Sequence, residues 1–425
     1  MNAREIALDV VRRVDRGALL SRELGRRLDR SNLSGRDKSF VTDLVYGTVR
    51  WQRWLDAALA PRLAKPEGLP HAVQSVLRIG AYERLKRRTP AHAVVHAWVD
   101  VVRRQQASMA GLVNAVLRRV EPPEINQGVE ADAIQASLPT WLYSEFQRAL
   151  GDESLDAALA MREASPLHLA ALRSEAATVL EAEGCSVEPS GVPDVLRVRA
   201  PKRLGDLKAF KDGLVQPMNP SSMLVTLVSE ARPGERLLDL CAGRGVKTAQ
   251  WANRGITVTA VELAASKGEQ AKRNLSRLGV EAQHVTHDLT TLPKGIQPAN
   301  HVVLDAPCSG SGTLRGHPEI AWRLSEQDLE AIVTRQQQLL ETAVSLTTAG
   351  GTLVYAVCSL LASEGPEVVR HALEAHTDLE LETIDWTRIA EDAPIHAAEV
   401  GDFILPTGGF DGFYVACLKR TAEST

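Results

Sequence analysis

The chain has 425 residues, 44% of them apolar and 24% charged, which excludes wholesale disorder, collagen and a disulfide miniprotein and leaves room for two or three domains. Its formal net charge of −4 taken alone argues against a nucleic-acid partner. The distribution says otherwise: residues 1–120 hold 23 Lys and Arg against 11 Asp and Glu, while 121–425 hold 26 against 42. Screening limits a distant opposite charge to a reach of about 8–10 Å, so the basic block keeps its own field. A polyanion partner and a merely solvated helical surface both fit that block.

The N-terminus, Met1-Asn2-Ala3-Arg4-Glu5, carries an acid early and lacks an apolar signal core, and no apolar run is long enough to span a bilayer. The expectation is a cytoplasmic monomer without membrane association. Five cysteines (Cys185, Cys241, Cys308, Cys358 and Cys417) are scattered without a C-x-x-C pair, so neither a disulfide framework nor a zinc site, nor any other metal centre, is indicated.

In chain order, the first 120 residues read as helices. Ile6, Val10, Val11 and Val14 recur at helical spacing, as do Val73, Val76, Leu77 and Gly80, and Leu112, Val113, Val116 and Leu117. Glu121-Pro122-Pro123-Glu124 stops helix and opens a linker. A mixed α+β stretch follows, helical around Trp141 to Met161 and strand-like at Leu167 to Leu172 and Val195 to Val198. After Pro220 short apolar strands alternate with helices: Arg236 to Leu240, Val258 to Leu263, His284 to Val285, His301 to Asp305 and Thr352 to Val357. That alternation predicts a doubly wound, mainly parallel sheet. The clearest helix spans 325–349, opening at Ser325 and closing on Gly350-Gly351. The expected segments are an all-α domain over 1–125, a small α+β connector over 126–215 and an α/β domain over 216–425.

The first strand of the α/β domain runs into Cys241-Ala242-Gly243-Arg244-Gly245-Val246-Lys247-Thr248. This turn lacks the G-x-x-x-x-G-K-[ST] of a phosphate loop and the third glycine of a dinucleotide fingerprint. Glu262 ends the next strand, where a carboxylate can accept both ribose hydroxyls, and Asp288 follows the third, where it can accept from an adenine amino group. A glycine turn and two acids at three successive strand ends suggest S-adenosylmethionine, although each acid alone reads as an ordinary surface residue.

The strand His301 to Asp305 continues into Ala306-Pro307-Cys308-Ser309-Gly310-Ser311-Gly312, and the strand ending at Val357 delivers Cys358. A lone cysteine is usually a small buried hydrophobe, the reading for Cys185, Cys417 and Cys241. Two cysteines at the carboxyl ends of adjacent strands beside a cofactor loop are harder to dismiss.

The segments D-A-P-C-S-G-S-G, Y-A-V-C-S, D-L-C-A-G-R-G-V-K-T, L-R-G-H-P-E-I-A-W-R (Leu314 to Arg323) and F-D-G-F-Y-V-A (Phe410 to Ala416) resemble the Sun/Nop family of RNA cytosine-5 methyltransferases. Ala3 to Val11, Asp37 to Arg50, Leu77 to Leu85 and Val113 to Arg119 resemble the helical NusB-type RNA-binding domain. The pairing is that of the bacterial Sun/RsmB type, which implies a Rossmann-like class I methyltransferase domain, S-adenosylmethionine as cofactor and small-subunit ribosomal RNA, free or in an assembly intermediate, as partner.

The resemblance implies that Cys358 is the nucleophile that adds to C6 of cytosine, that Cys308 assists proton removal and release, and that Asp305 holds the N3/N4 edge of the base. Cofactor contacts would come from Cys241, Ala242, Gly243, Arg244, Gly245, Val246, Lys247, Glu262, Asp288 and Asp305. A free thiol is only a few per cent thiolate at pH 7, so the site must supply cationic or dipolar help. Lys247 is the nearest cation in sequence, though an ion pair with an acid fits it equally well. DNA cytosine-5 enzymes attack with the Pro-Cys cysteine and carry Glu-Asn-Val, a tripeptide missing from this chain; Cys308 as nucleophile is the second assignment.

The family loop reads C-A-A-P-G-G-K-T, whereas Gly243, Arg244 and Val246 stand here in place of Ala, Pro and Gly. Val357 replaces the usual Thr before the second cysteine. The altered loop keeps open an inactive RNA-binding assembly factor, and transfer RNA is the other substrate compatible with the chemistry.

Overall fold

The computed structural model describes residues 1–421; the last four residues of the expected 216–425 domain lie outside them. The chain forms two compact units. One comprises Met1–Gln147, Ser154–Glu163 and Leu314–Leu324; the other comprises Arg148–Glu153, Ala164–Thr313 and Ser325–Thr425. The stretch 126–215, expected as one connector, is thus shared: most of its helical residues belong to the first unit and its strands to the second.

The first unit is helical. Its first helix, Ala3–Val14, starts at a capping box formed by Asn2 and Glu5 and buries Ile6, Ala7, Leu8, Val10, Val11 and Val14 on one face. Gly35–Arg50 is capped by Ser34, and His71–Leu85 packs beside it. Gly47 permits that approach, since a Cβ there would collide with Tyr82. The region around Trp141 to Met161 is two helices, Thr140–Leu150 and Ser154–Ala160, because the chain turns at Gly151 with φ +53°.

Segment Leu314–Leu324 belongs to this helical unit. Glu319 Oε1 accepts from Leu20 N–H at 3.2 Å, at the start of a helix whose N-cap Leu19 provides no side-chain cap. Arg50 Nη2 donates to Arg315 O at 2.8 Å, and Trp322 Nε1 donates to Val49 O at 2.9 Å.

The second unit holds two sheets. Strands β1 (Leu167–Ala171), β2 (Ser186–Pro189), β3 (Val195–Arg199) and β4 (Val215–Pro217) form an antiparallel sheet in the order β2-β3-β1-β4. The larger sheet contains β5 (Arg236–Leu240), β6 (Thr257–Glu262), β7 (Gln283–Thr286), β8 (Ala299–Asp305), β9 (Thr347–Val357), β10 (Leu379–Glu382), β11 (Ile395–Ala397), β12 (Asp402–Ile404) and β13 (Phe413–Arg420). Its order is β11-β12-β13-β9-β8-β5-β6-β7, with β10 on β13. The run from β7 to β9 is parallel and the β13 side antiparallel. The chain moves outward from β5 through β6 to β7, then returns to place β8 on the other side of β5, creating a switch point between them.

The helix expected over 325–349 is shorter. It opens at Ser325, as expected, through a capping box with Asp328, but spans Glu326–Ser345 with Leu346 as its C-cap. Gly350-Gly351 does not close it: the pair lies inside β9, with Gly350 at φ +76°, where the register against β8 shifts. Among the described residues no helix is long and apolar enough to cross a membrane.

Candidate active site

The carboxyl ends of β5, β6, β8 and β9, with the loop after β7, bring the chemistry-bearing residues together. After β5 the backbone enters the left-handed region at Cys241, φ +63°, and again at Gly243 and Gly245, φ +60° and +72°. Glycine takes that conformation freely, whereas Cys241 holds it under strain. Glu262 at the end of β6 is buried and secures the turn: Oε2 accepts Gly243 N–H and Oε1 accepts Ala264 N–H, each at 2.9 Å. Oε1 also lies 3.5 Å from Lys267 Nζ, and Oε2 retains capacity for another donor. Asp288 is exposed and accepts the Thr290 N–H and hydroxyl at 3.1 and 3.0 Å, bonds that hold its carboxyl below the usual range.

Asp239, within β5, was not singled out by the sequence. It is buried, its Oδ2 accepts the Thr248 hydroxyl at 2.5 Å, and burial pushes its pKa up to about 7. Burial likewise pushes the Cys241 thiol up to about 12, with Asp305 adding to the effect.

Lys247 Nζ lies 2.6 Å from Asp305 Oδ2, so the ion-pair reading of this lysine holds. Burial opposes its charge, but the Asp305 carboxylate more than offsets that, with Cys358 and Asp239 adding, and its pKa rises. It therefore remains a cation within the field of Cys358.

The two cysteines expected at adjacent strand ends meet there, with Cys308 Sγ 3.2 Å from Cys358 Sγ. The loop carrying Cys308 folds back so that Gly312 N–H donates to Cys358 O at 3.1 Å and Gly312 O accepts Gly412 N–H at 2.8 Å. Contact with Cys358 and burial raise the Cys308 thiol well above its ordinary value, and Glu364 pushes the same way. Glu364 also escaped sequence reasoning; its only signal was an acid five residues after Ser359.

A cavity of about 560 Å³ joins these groups, lined by Cys241, Glu262, Asp288, Asp305, Cys308 and Cys358 together with apolar Leu263, Leu289 and Pro307. Its size is that of a nucleoside-sized ligand site. Ala242, Gly243, Arg244, Gly245, Val246 and Lys247 are not among its lining residues; Arg244 is exposed, and Val246 gives its carbonyl to Gln216 Nε2 at 2.8 Å. Two residues that sequence reasoning missed, Ile332 and Arg335, lie on the cavity wall.

Residues 226–419 match the family model described as 16S rRNA methyltransferase RsmB/F, and residues 1–122 match the NusB family. Ribosomal RNA small subunit methyltransferase B of Thermus thermophilus is 40% identical over 418 residues, covering 98% of this chain and 97% of that one. The chain belongs to the RsmB/F family of methyltransferases. The small subunit methyltransferase B of Pseudomonas putida is 32% identical over 96% of this chain and 95% of its own. The crystal structure of PH0851 matches with a TM-score of 0.79, covering 99% of each chain at 21% identity, a likeness of fold. This RsmB/F-type chain is a methyltransferase. The expected NusB-like helical domain joined to a Rossmann-like methyltransferase domain is borne out.

Proposed function

We propose that this methyltransferase transfers a methyl group from S-adenosylmethionine to C5 of a cytosine in small-subunit (16S) ribosomal RNA through a covalent adduct with Cys358. The observation that carries the reading is the pair of thiols 3.2 Å apart on the cavity that Asp305 also lines.

The cavity fits the cofactor in size and donor set: Glu262 and Asp288 would hold ribose and adenine, with Leu263 and Leu289 against the apolar surface. When bound, the cofactor supplies an electrophilic methyl group on a sulfonium. The cysteines must make C5 nucleophilic enough to accept it. Cys358 Sγ adds to C6, giving C5 enamine character. Asp305, oriented by Lys247, holds the N3/N4 edge and favours cytosine over uracil. The C5 proton then passes to water and the C6–S bond breaks, expelling Cys358 as thiolate, steps that Cys308 assists.

Charge placement supports this division of labour. Cys358 lies near the Lys247 ammonium, while contact with Cys358 and burial, with Glu364 adding, disfavour the Cys308 thiolate. The opposite assignment would make the nucleophile the thiol whose ionisation the site opposes. C6 is inaccessible in a stacked duplex, so the target base must be unstacked or flipped.

The basic helical block would dock RNA through phosphate contacts, giving an affinity that falls steeply with salt while cofactor affinity changes little. The reading places the enzyme in the cytoplasm as a monomer acting on rRNA or an assembly intermediate. Bisulfite sequencing of total RNA from cells with and without the gene tests reaction, substrate class and position together. A cytosine in small-subunit rRNA that loses protection without the gene is the expected result; a change confined to transfer RNA, or none, contradicts it.

A further inference from the structure

The carboxyl group of Glu364 is fully buried behind the two cysteine-bearing loops. Its Oε1 accepts Ser309 N–H at 2.8 Å and Gln336 Nε2 at 2.9 Å; its Oε2 accepts the hydroxyls of Ser309 and Ser359, each at 2.5 Å. Ser309 follows Cys308 and Ser359 follows Cys358, so one carboxylate ties together the residues next to both thiols. All four partners donate, the arrangement an acceptor-only carboxylate satisfies.

The surrounding contacts extend the knot. Ser311 Oγ lies 2.9 Å from Ser359 Oγ and accepts Leu360 N–H at 3.1 Å. Tyr355, a fully buried residue of β9, donates its hydroxyl to Glu364 O at 2.7 Å. Glu364 is absent from the wall of the cavity, so its effect on a substrate passes through the loops it holds.

We infer that Glu364 is a positioning residue that fixes the spacing and the surroundings of Cys308 and Cys358. The carboxylate does so in two ways. Its hydrogen bonds set the paths of both loops, and its charge adds to contact with Cys358 and to burial in disfavouring the Cys308 thiolate. A neutral side chain of the same shape can replace only part of the first effect and none of the second. The inference rests on the reading of these cysteines as the reacting thiols.

The test compares Glu364→Gln and Glu364→Asp in the full-length protein with S-adenosylmethionine and small-subunit rRNA. Mass spectrometry follows alkylation of Cys308 by iodoacetamide as a function of pH. In Glu364→Gln, kcat should fall about tenfold or more with KM for the cofactor within about twofold, and the pH midpoint for Cys308 alkylation should move down. Glu364→Asp, which keeps the charge, should retain the native alkylation midpoint. A folded Glu364→Gln with native kcat and native alkylation overturns the inference, as does a loss of kcat with the alkylation profile unchanged, the mark of a merely structural role.

Should Glu364→Gln fail to fold, Ser309→Ala and Ser359→Ala each remove one donor. A fall in kcat without a change in KM for both supports the inference, and native kcat in both overturns it. A parallel assay of Cys308→Ala for a covalent RNA complex separates the two readings. No complex, with the alkylation shift still present in Glu364→Gln, removes the C5 mechanism and keeps the positioning role; a complex without the shift removes the positioning role alone.

Discussion

Cys308 and Cys358 stand fifty residues apart in sequence, yet their sulfur atoms are 3.2 Å apart. A disulfide needs about 2 Å, so little movement separates this pair from a bond. A disulfide oxidant such as oxidised glutathione, which takes up the two electrons as the thiols lose their protons, should inactivate the enzyme with loss of two free thiols. Dithiothreitol should restore both activity and thiols. Thiol counting by mass spectrometry alongside methyl transfer checks this; inactivation through Cys241 or Cys185 instead would contradict it.

Lys247 carries a second prediction, because its ammonium pairs with Asp305 at 2.6 Å and lies within the field of Cys358. Lys247→Met removes the cation and leaves Asp305 without its partner. Methyl transfer at pH 7 should fall about a hundredfold, as the reacting thiol loses its neighbouring cation and Asp305 its orientation. Lys247→Arg, which keeps the cation while placing Asp305 less well, should retain more of the activity than Lys247→Met. Methyl transfer by Lys247→Met at the native rate would contradict the role given to the lysine.

Asp239 gives a pH dependence of stability. Burial raises its pKa to about 7 from the 3.8 of an exposed carboxyl, so the folded protein keeps a proton that the unfolded chain releases. Its contribution to stability is fully present below the unfolded value and is lost as pH rises through 7. Asp239→Asn retains an acceptor for Thr248 and removes the dependence. The unfolding free energy of the variant relative to the native protein should therefore improve with pH, by at most about 4 kcal/mol between pH 4 and pH 8. Denaturant titrations across that range check it, and a pH-independent difference would count against the burial argument.

The segment 314–324 caps a helix of the first unit in place of a local side chain, through Glu319 and Leu20 N–H. Glu319→Ala should cost about 1–2 kcal/mol, the usual loss for a helix cap. Hydrogen exchange should accelerate at Leu20 before it does in the helix Gly35–Arg50. Unchanged protection at Leu20 would show that the bond contributes nothing to that helix.

The strand ends were legible because β5, β6, β8 and β9 are short apolar runs that stop at chemistry-bearing residues, a pattern that needs no tertiary knowledge. The thiol pair followed from placing Cys308 and Cys358 at the ends of adjacent parallel strands. The Gly350-Gly351 pair misled because a double glycine is a common helix stop; here it serves the register shift in β9 instead. Glu364 stayed hidden because Ser309 and Gln336, two of its partners, lie on other segments, and one acid before a proline turn has no periodicity to reveal it. Segment 314–324 was recognised as a motif, but its membership of the helical unit depends on long-range contacts such as Glu319 with Leu20. Of the glycine turn, sequence showed the backbone shape but not that the cavity wall passes to Leu263, Leu289 and Arg335.

The most direct test of the covalent cytosine-5 mechanism is denaturing electrophoresis of the protein incubated with S-adenosylmethionine and small-subunit rRNA. Cys308→Ala should accumulate a covalent RNA complex through Cys358, since addition and methylation proceed while release is impaired, and Cys358→Ala should give neither complex nor methylation. Methyl transfer retained without Cys358, or a complex attached at Cys308, would contradict the mechanism.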